Sequence, residues 1–295
     1  MTHLDSMIQL LLDEGTLVLE SDREEPLCIT NHDILRMNTA TLEDSLSAGT
    51  LNWDTTIHGV LYLSIQSALS ARCGDILADL DDEKCLRCEE VRIVLKIVEG
   101  REGLWATFKL KHCKGAKGVR ETQRTIELGQ VHDNKFNACC PISLLIIWSL
   151  RIGAVKETSW EELISNMRKR PAHVLVWGRP DMPVFCSITP DTTLKLSTPA
   201  STDVGKPILR TAAQTTGLLA IPHTYDIRRG SGRELVHLPS LGDDNCDVAR
   251  KVLGHTRNSL PNGVTDLYIV VSGIDNLEHP TGAEASFAWR YPCTH

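Results

Sequence analysis

The chain has 295 residues, 42% of them hydrophobic and 23% charged, with a formal net charge of −7. This length holds one large domain or two modest ones, and the composition excludes a disordered or fibrous chain. No apolar run approaches the roughly 18 residues of a transmembrane helix, and Met1-Thr-His-Leu-Asp-Ser6 lacks the pattern of a secretory signal.

Residues 1–55 carry eleven carboxylates against Arg23 and Arg36, a net of −9, which leaves +2 for residues 56–295. The shift divides the chain into an acidic helical N-terminal segment, 1–55, and a larger domain, 56–295. Within the first part the pattern predicts a helix at Met7–Leu12, a loop at Asp22–Pro26, and a helix start at Asn31–Leu35 with Asn31 as cap. From Thr56, the apolar positions Ile57, Val60, Leu61 and Leu69 follow helical spacing. Arg72-Cys-Gly74 breaks this helix from a short one over Asp75–Leu80.

Cys85-Leu-Arg-Cys88 could form a zinc site with His112-Cys113, but the adjacent second pair has poor geometry for tetrahedral ligation. Incidental thiols beside a turn are the better reading, and no metal is expected. The ten cysteines lack regular spacing and read as reduced intracellular thiols, with Cys139 and Cys140 packed as small hydrophobes.

Val91, Ile93, Leu95 and Ile97 alternate with Arg92 and Lys96, which predicts a half-buried strand over Glu90–Val98. A turn at Glu99–Gly103, a strand at Trp105–Cys113, a glycine-rich turn at Lys114–Gly118 and a strand at Glu121–Leu128 complete a three-stranded meander. Ile142–Ile152 reads as a buried helix, and Ser159-Trp-Glu-Glu162 as a capping box opening another. Residues 171–207 read as loops with a strand at His173–Trp177. Helices follow at Leu209–Leu219, from about Ile227, and at Val248–Leu253 before Gly254. The fold class is therefore α+β, mainly α-helical, with a small three-stranded antiparallel sheet.

Five positions carry chemistry in combination, although each alone has a bland explanation. Arg72 at a helix break, with Asp75 three residues on, reads as a buttressed phosphate-binding guanidinium or as a surface ion pair worth little. Lys109, Lys111, Lys114, Lys117, Arg120 and Arg124 decorate the second hairpin. They suit phosphate contacts, or simply an edge protected from aggregation. Lys114, beside Gly115, is best placed to act as a general acid. Arg228-Arg229 at a helix start offers bidentate phosphate binding. His255 follows a helix end, and Tyr268 lies in a β-branched segment, Val264–Val271, that reads as a strand.

The order of these motifs resembles the catalytic domain of the tyrosine recombinases, most nearly the fungal crypton and Starship-type recombinase-like proteins. Ala71-Arg72-Cys73-Gly74-Asp75-Ile76 matches the junction of the family's first arginine. Lys114-Gly115-Ala116-Lys117 matches its hairpin lysine. Thr216-Gly217-Leu218, followed by Tyr225-Asp226-Ile227-Arg228, matches its second arginine, with Tyr225 where most members have histidine. Leu253-Gly254-His255 matches the histidine motif, and Tyr268 stands as nucleophile. The likeness spans about Thr56 to Ser272.

It implies cleavage and rejoining of DNA strands through a 3′-phosphotyrosyl intermediate. Arg72, Lys114, Tyr225, Arg228, His255 and Tyr268 would be catalytic and Asp75 supporting. Lys109, Lys111, Lys117, Arg120, Arg124 and Arg229 would contact DNA. It also implies no cofactor, double-stranded DNA as partner, self-association on DNA, nuclear localisation and integration of a mobile element. The interval from His255 to Tyr268 is longer than the family's, and residues 1–55 are too acidic for its core-binding domain. A catalytically inactive DNA-binding or interaction protein with the same fold is the alternative.

Overall fold

The computed structural model describes residues 11, 14, 27–79, 84–98, 100–111, 123–189, 191–236 and 253. Helix α1 (Asn31–Ser47) is capped by Thr30, whose hydroxyl accepts from the Asp33 N–H at 3.3 Å while the Asp33 carboxylate accepts from the Thr30 N–H at 2.9 Å. The sequence pattern points to Asn31 as the cap. Instead Asn31 is the first helical residue, and its side-chain amide donates to Glu234 at 2.6 Å. A reciprocal Thr-x-x-Asp box satisfies two orphan donors at once, which a lone asparagine does not.

Helix α2 (Trp53–Ala68) is buried on nearly every face and forms the central element. The following helix, α3 (Cys73–Ile76), is a single turn rather than the longer helix over Asp75–Leu80. Leu77 turns extended and Ala78 forms a parallel bridge with Ser201, so pairing across the fold overrides local helical preference.

The meander is present as β1 (Val91–Val98), β2 (Arg101–Leu110) and β3 (Arg124–Gly129), antiparallel and in that order. Val91 lies opposite Phe108, and Leu110 opposite Arg124. Val91, Ile93, Leu104, Ala106, Phe108, Ile126 and Leu128 face the core. Strand β2 starts at Arg101, four residues before the Trp105 that the sequence indicates.

Helix α4 (Pro141–Arg151) opens on a proline at its first turn, where no N–H is needed, and is apolar almost all round. The Trp148 indole donates to the Val184 carbonyl at 2.9 Å. Helix α5 (Trp160–Lys169) is capped by Ser159, which accepts from the Glu162 N–H at 3.2 Å; the Glu162 carboxylate closes onto the Thr158 N–H rather than onto Ser159. His173–Trp177 forms only isolated bridges, Val94 with Val174 and Val155 with Trp177. A hairpin the sequence pattern did not reveal, β4 (Cys186–Ile188) and β5 (Leu194–Pro199), lies in the stretch read as loops.

Helix α6 (Gly205–Thr215) begins before Pro207, since proline is tolerated in a first turn. Helix α7 (Thr224–Val236) likewise begins three residues before Ile227. One continuous core runs from Ile29 to Ile227 and includes Ile34 and Met37, so the described part of the acidic segment packs into it. No helix among the described residues is long and apolar enough to cross a membrane. The expected helix at Met7–Leu12, apart from Leu11, lies outside the described residues, as do Lys114, Lys117, Arg120, His112-Cys113, His255 and Tyr268.

Candidate functional site

The site is built on the way α2 ends. Ser70 adopts φ +45°, the Ala71 N–H donates to the Gln66 carbonyl at 3.1 Å, and the Ser70 N–H to Ser67 at 3.0 Å. This is a Schellman closure with serine in the left-handed position where glycine is usual, at a cost of about 1 kcal/mol. The chain leaves the helix with the Leu69 and Ser70 carbonyls still needing partners. Arg72 follows in extended conformation, and its N–H donates to the Asp75 carboxylate at 2.9 Å. Asp75 thus fixes the backbone from which the Arg72 side chain departs.

Two guanidiniums fill the open carbonyls. Arg124, the first residue of β3, donates to the Leu69 carbonyl at 2.8 Å and lies 3.7 Å from the Asp75 carboxylate. Arg228 of α7 donates to the Ser70 carbonyl and also to the Leu253 carbonyl. Cations at a helix C-terminus complement the negative end of its dipole. Gln66, fully buried in α2, adds a bond from its amide to the Thr224 carbonyl at 3.0 Å and so fixes the start of α7.

Helix α7 distributes its polar groups by face. Arg228 is 1% exposed and points into the α2–α3 junction. Arg229 pairs with Asp226 at 2.9 Å on the neighbouring face. Tyr225 is 43% exposed. Gly230 meets the backbone of Ile29, whose N–H donates to the Asp226 carbonyl at 3.0 Å; a Cβ there would fall on the Ile29 carbonyl. The Leu253 side chain is fully buried against Gly232.

The structure therefore brings together the junction carrying Arg72, the base of the β2–β3 hairpin, Arg228, and Leu253 of the Leu-Gly-His segment. Among the hairpin cations, Lys109 is exposed on the central strand β2, Lys111 pairs with Glu90 at 3.1 Å, and Arg124 turns inward rather than towards solvent. Cys73, beside Arg72, is not a thiolate: burial pushes its thiol up to about 11, and it accepts a hydrogen bond from the Tyr62 hydroxyl at 3.3 Å. Ser70 and Gln66 carry weight that motif reasoning did not assign. The only sequence signal for Gln66 is an amide inside the apolar run Leu61–Ala68.

Cys85 and Cys88 are both buried, and burial pushes the Cys88 thiol up to about 12. Among the described residues, no group of three or more His, Cys, Asp or Glu side chains is placed to hold a metal ion. Cys139 and Cys140 are buried at the start of α4 as small core residues.

No protein-family model and no curated protein sequence matches the chain. Solved structures with a similar course include the XerH site-specific recombinase bound to its difH substrate in a pre-cleavage complex. That match has 12% identity and a TM-score of 0.49, covering 83% of this chain and 50% of that one. The post-cleavage complex with palindromic difH gives 12% identity and a TM-score of 0.48, covering 85% and 51%. A lambda integrase dimer on a COC′ core site gives 13% identity and a TM-score of 0.42, covering 92% and 59%. The chain spans 50–59% of the length of these recombinase chains.

Proposed function

We propose that the chain is a DNA strand-breaking and rejoining protein of the tyrosine recombinase type. The observation that carries this reading is the Arg228 guanidinium, which ties the Ser70 carbonyl, two residues before Arg72, to the Leu253 carbonyl, two residues before His255. Ser70 and Leu253, 183 residues apart in sequence, thereby share one guanidinium, which supports a chemistry centred on one phosphate.

In the proposed mechanism the Tyr268 phenolate attacks the phosphorus of a DNA phosphodiester. The bond to the 5′ oxygen breaks, Lys114 delivers a proton to that oxygen, and a 3′-phosphotyrosyl link remains. Arg72 and Arg228 stabilise charge on the non-bridging oxygens, and one such donor is worth on the order of 10²–10³ in rate. Tyr225 and His255 hydrogen-bond the same phosphate. The covalent link conserves the bond energy, so rejoining needs no nucleotide. A fungal mobile element, a multimer on DNA and a nuclear setting fit this reading.

A second reading, a catalytically silent DNA-binding protein, is favoured by one feature: Arg228 is 1% exposed and already holds two backbone carbonyls. A nicked suicide duplex that traps covalent adducts separates the two. The active reading predicts an adduct that Tyr268→Phe abolishes without loss of binding. Duplex binding without an adduct, weakening steeply with salt, establishes the silent reading. No duplex binding even at low salt removes both.

A further inference from the structure

We infer that Arg124 is a positioning residue that locks the Arg72 junction to the base of the β2–β3 hairpin, rather than a DNA contact. The inference rests on the proposed site and assigns it a part that motif order does not contain.

Three observations converge. Arg124 opens β3 directly opposite Leu110, the last residue of β2, so its backbone is fixed by the sheet. Its side chain is only 10% exposed and reaches across to the end of α2, where it donates to the Leu69 carbonyl at 2.8 Å. The same guanidinium faces the Asp75 carboxylate at 3.7 Å, and that carboxylate accepts the Arg72 N–H at 2.9 Å.

The guanidinium therefore holds both sides of the break. Leu69 precedes the left-handed Ser70, Asp75 follows Arg72, and the fork of Arg124 spans the two. A planar, five-donor fork does this where a point-like ammonium does not. Phosphate-binding groups need placement to a fraction of an ångström to act on a transition state. The lock also couples two segments that are distant in sequence, because the connection carrying Lys114 springs from Leu110 and Arg124. A shift of the hairpin base would move the Arg72 backbone through Asp75.

Arg124→Lys keeps the charge and loses the fork; Asp75→Asn keeps an acceptor for the Arg72 N–H and loses the charge facing Arg124. Both are compared with wild type in two ways. In the free protein, the Arg72 amide should exchange with deuterium at least about tenfold faster in either variant, relative to the amides of α4 as an internal control for global stability. On a suicide duplex, adduct formation should slow about tenfold or more. Arg124→Lys should add nothing in an Arg72→Ala background, since residues acting as a unit are non-additive.

Unchanged Arg72 exchange in both variants overturns the inference. So does full additivity with Arg72→Ala. Absence of any adduct in the wild type refutes the strand-cleavage reading instead, and the exchange comparison then decides the positioning role alone. If Arg124→Lys fails to fold, Asp75→Asn carries the same comparison.

Discussion

Arg228→Met tests whether this guanidinium holds the fold together in the free protein. At 1% exposure, Arg228 gives one bond to the Ser70 carbonyl and one to the Leu253 carbonyl. Hydrogen bonds to a charged group are worth about 1.5–3 kcal/mol each, and the carbonyls left behind remain buried without their donor. Losing both costs roughly 3–6 kcal/mol by that scale. An apolar side chain of similar length recovers about 1.5–2 kcal/mol by staying buried. The net expectation is a loss of about 3 kcal/mol, a large share of the 5–15 kcal/mol that holds a typical domain together. Arg228→Lys, with one compact donor group in place of the fork, should lose about half as much. Urea unfolding followed by tryptophan fluorescence measures this, since Trp148 is buried in the core. At an unchanged slope the midpoint should fall by about 1 M or more. A change below about 0.5 kcal/mol for Arg228→Met, the range of an ordinary surface substitution, would refute the structural role.

Two titrating groups, the buried His58 and the partly buried Glu234, set opposed pH dependences. His58 lies edge-on to Trp148 and Phe185, with ring centroids 5.6 and 5.3 Å away, and burial lowers it from 6.5 to about 4. The unfolded chain therefore takes up its proton first, and stability is lost as pH falls from 6.5 towards 4. Glu234 is pushed up from 4.5 to about 7 by burial, with Asp33 adding to the rise and the Asn31 donors opposing it. Its contribution is present below 4.5 and lost as pH climbs through 7. Each displacement corresponds to about 3 kcal/mol, so the two nearly cancel over their shared window. Glu234→Gln should leave stability rising with pH there and His58→Gln should leave it falling; parallel pH profiles of the two variants would contradict the assignment. Gly230→Ala offers a third check by thermal or urea unfolding. In an open helix interior this change gains about 1 kcal/mol, but here the added Cβ falls on the Ile29 carbonyl. A loss of about 1–3 kcal/mol is expected from overpacking, and a stabilised variant would show that the Ile29 backbone does not pack on α7 at Gly230.

Where periodicity and burial agree, the fold is legible in the sequence. The meander follows from alternation in β1, and α4 from an apolar run opened by Pro141, because both patterns mirror which faces the core takes. Boundaries shift where a partner distant in sequence decides them. Thr30 and Asp33 displace Asn31 as cap, and Ala78 leaves helix to pair with Ser201. The β4–β5 hairpin was hidden because its strands are short and rich in serine and threonine, with only Cys186 fully buried. The site was legible as a list of cations, but not as a division of labour. Nothing in the strings Arg-Thr-Ile-Glu or Tyr-Asp-Ile-Arg-Arg says that Arg124 and Arg228 turn inward while Arg229 pairs with Asp226. That division depends on two open carbonyls at the end of α2, and these exist only once Ser70 has taken its left-handed conformation.

The same geometry places a condition on the proposed chemistry. Arg228 is 1% exposed, so for it to stabilise a phosphate oxygen a group that covers it must move, and the two carbonyls it holds are the candidates. The Ser70 carbonyl belongs to a junction also held by Arg124 and Asp75, so releasing it would disturb the backbone that aims Arg72. The Leu253 carbonyl belongs to the Leu-Gly-His segment and is tied to this arrangement by its buried bond to Arg228. Exchange at Leu253 leaves the junction intact; exchange at Ser70 does not. Binding a phosphate in the proposed mechanism is thus coupled to movement at Leu253, because one guanidinium serves both. Leu253 itself, fully buried against Gly232, opposes that movement. Truncating its side chain should weaken the opposition while leaving both carbonyl acceptors in the backbone. In an active protein Leu253→Ala would therefore trade stability, about 2–5 kcal/mol for a buried leucine, for faster adduct formation on the suicide duplex. A variant that loses stability with no gain in rate would place the acceptor exchange somewhere other than Leu253.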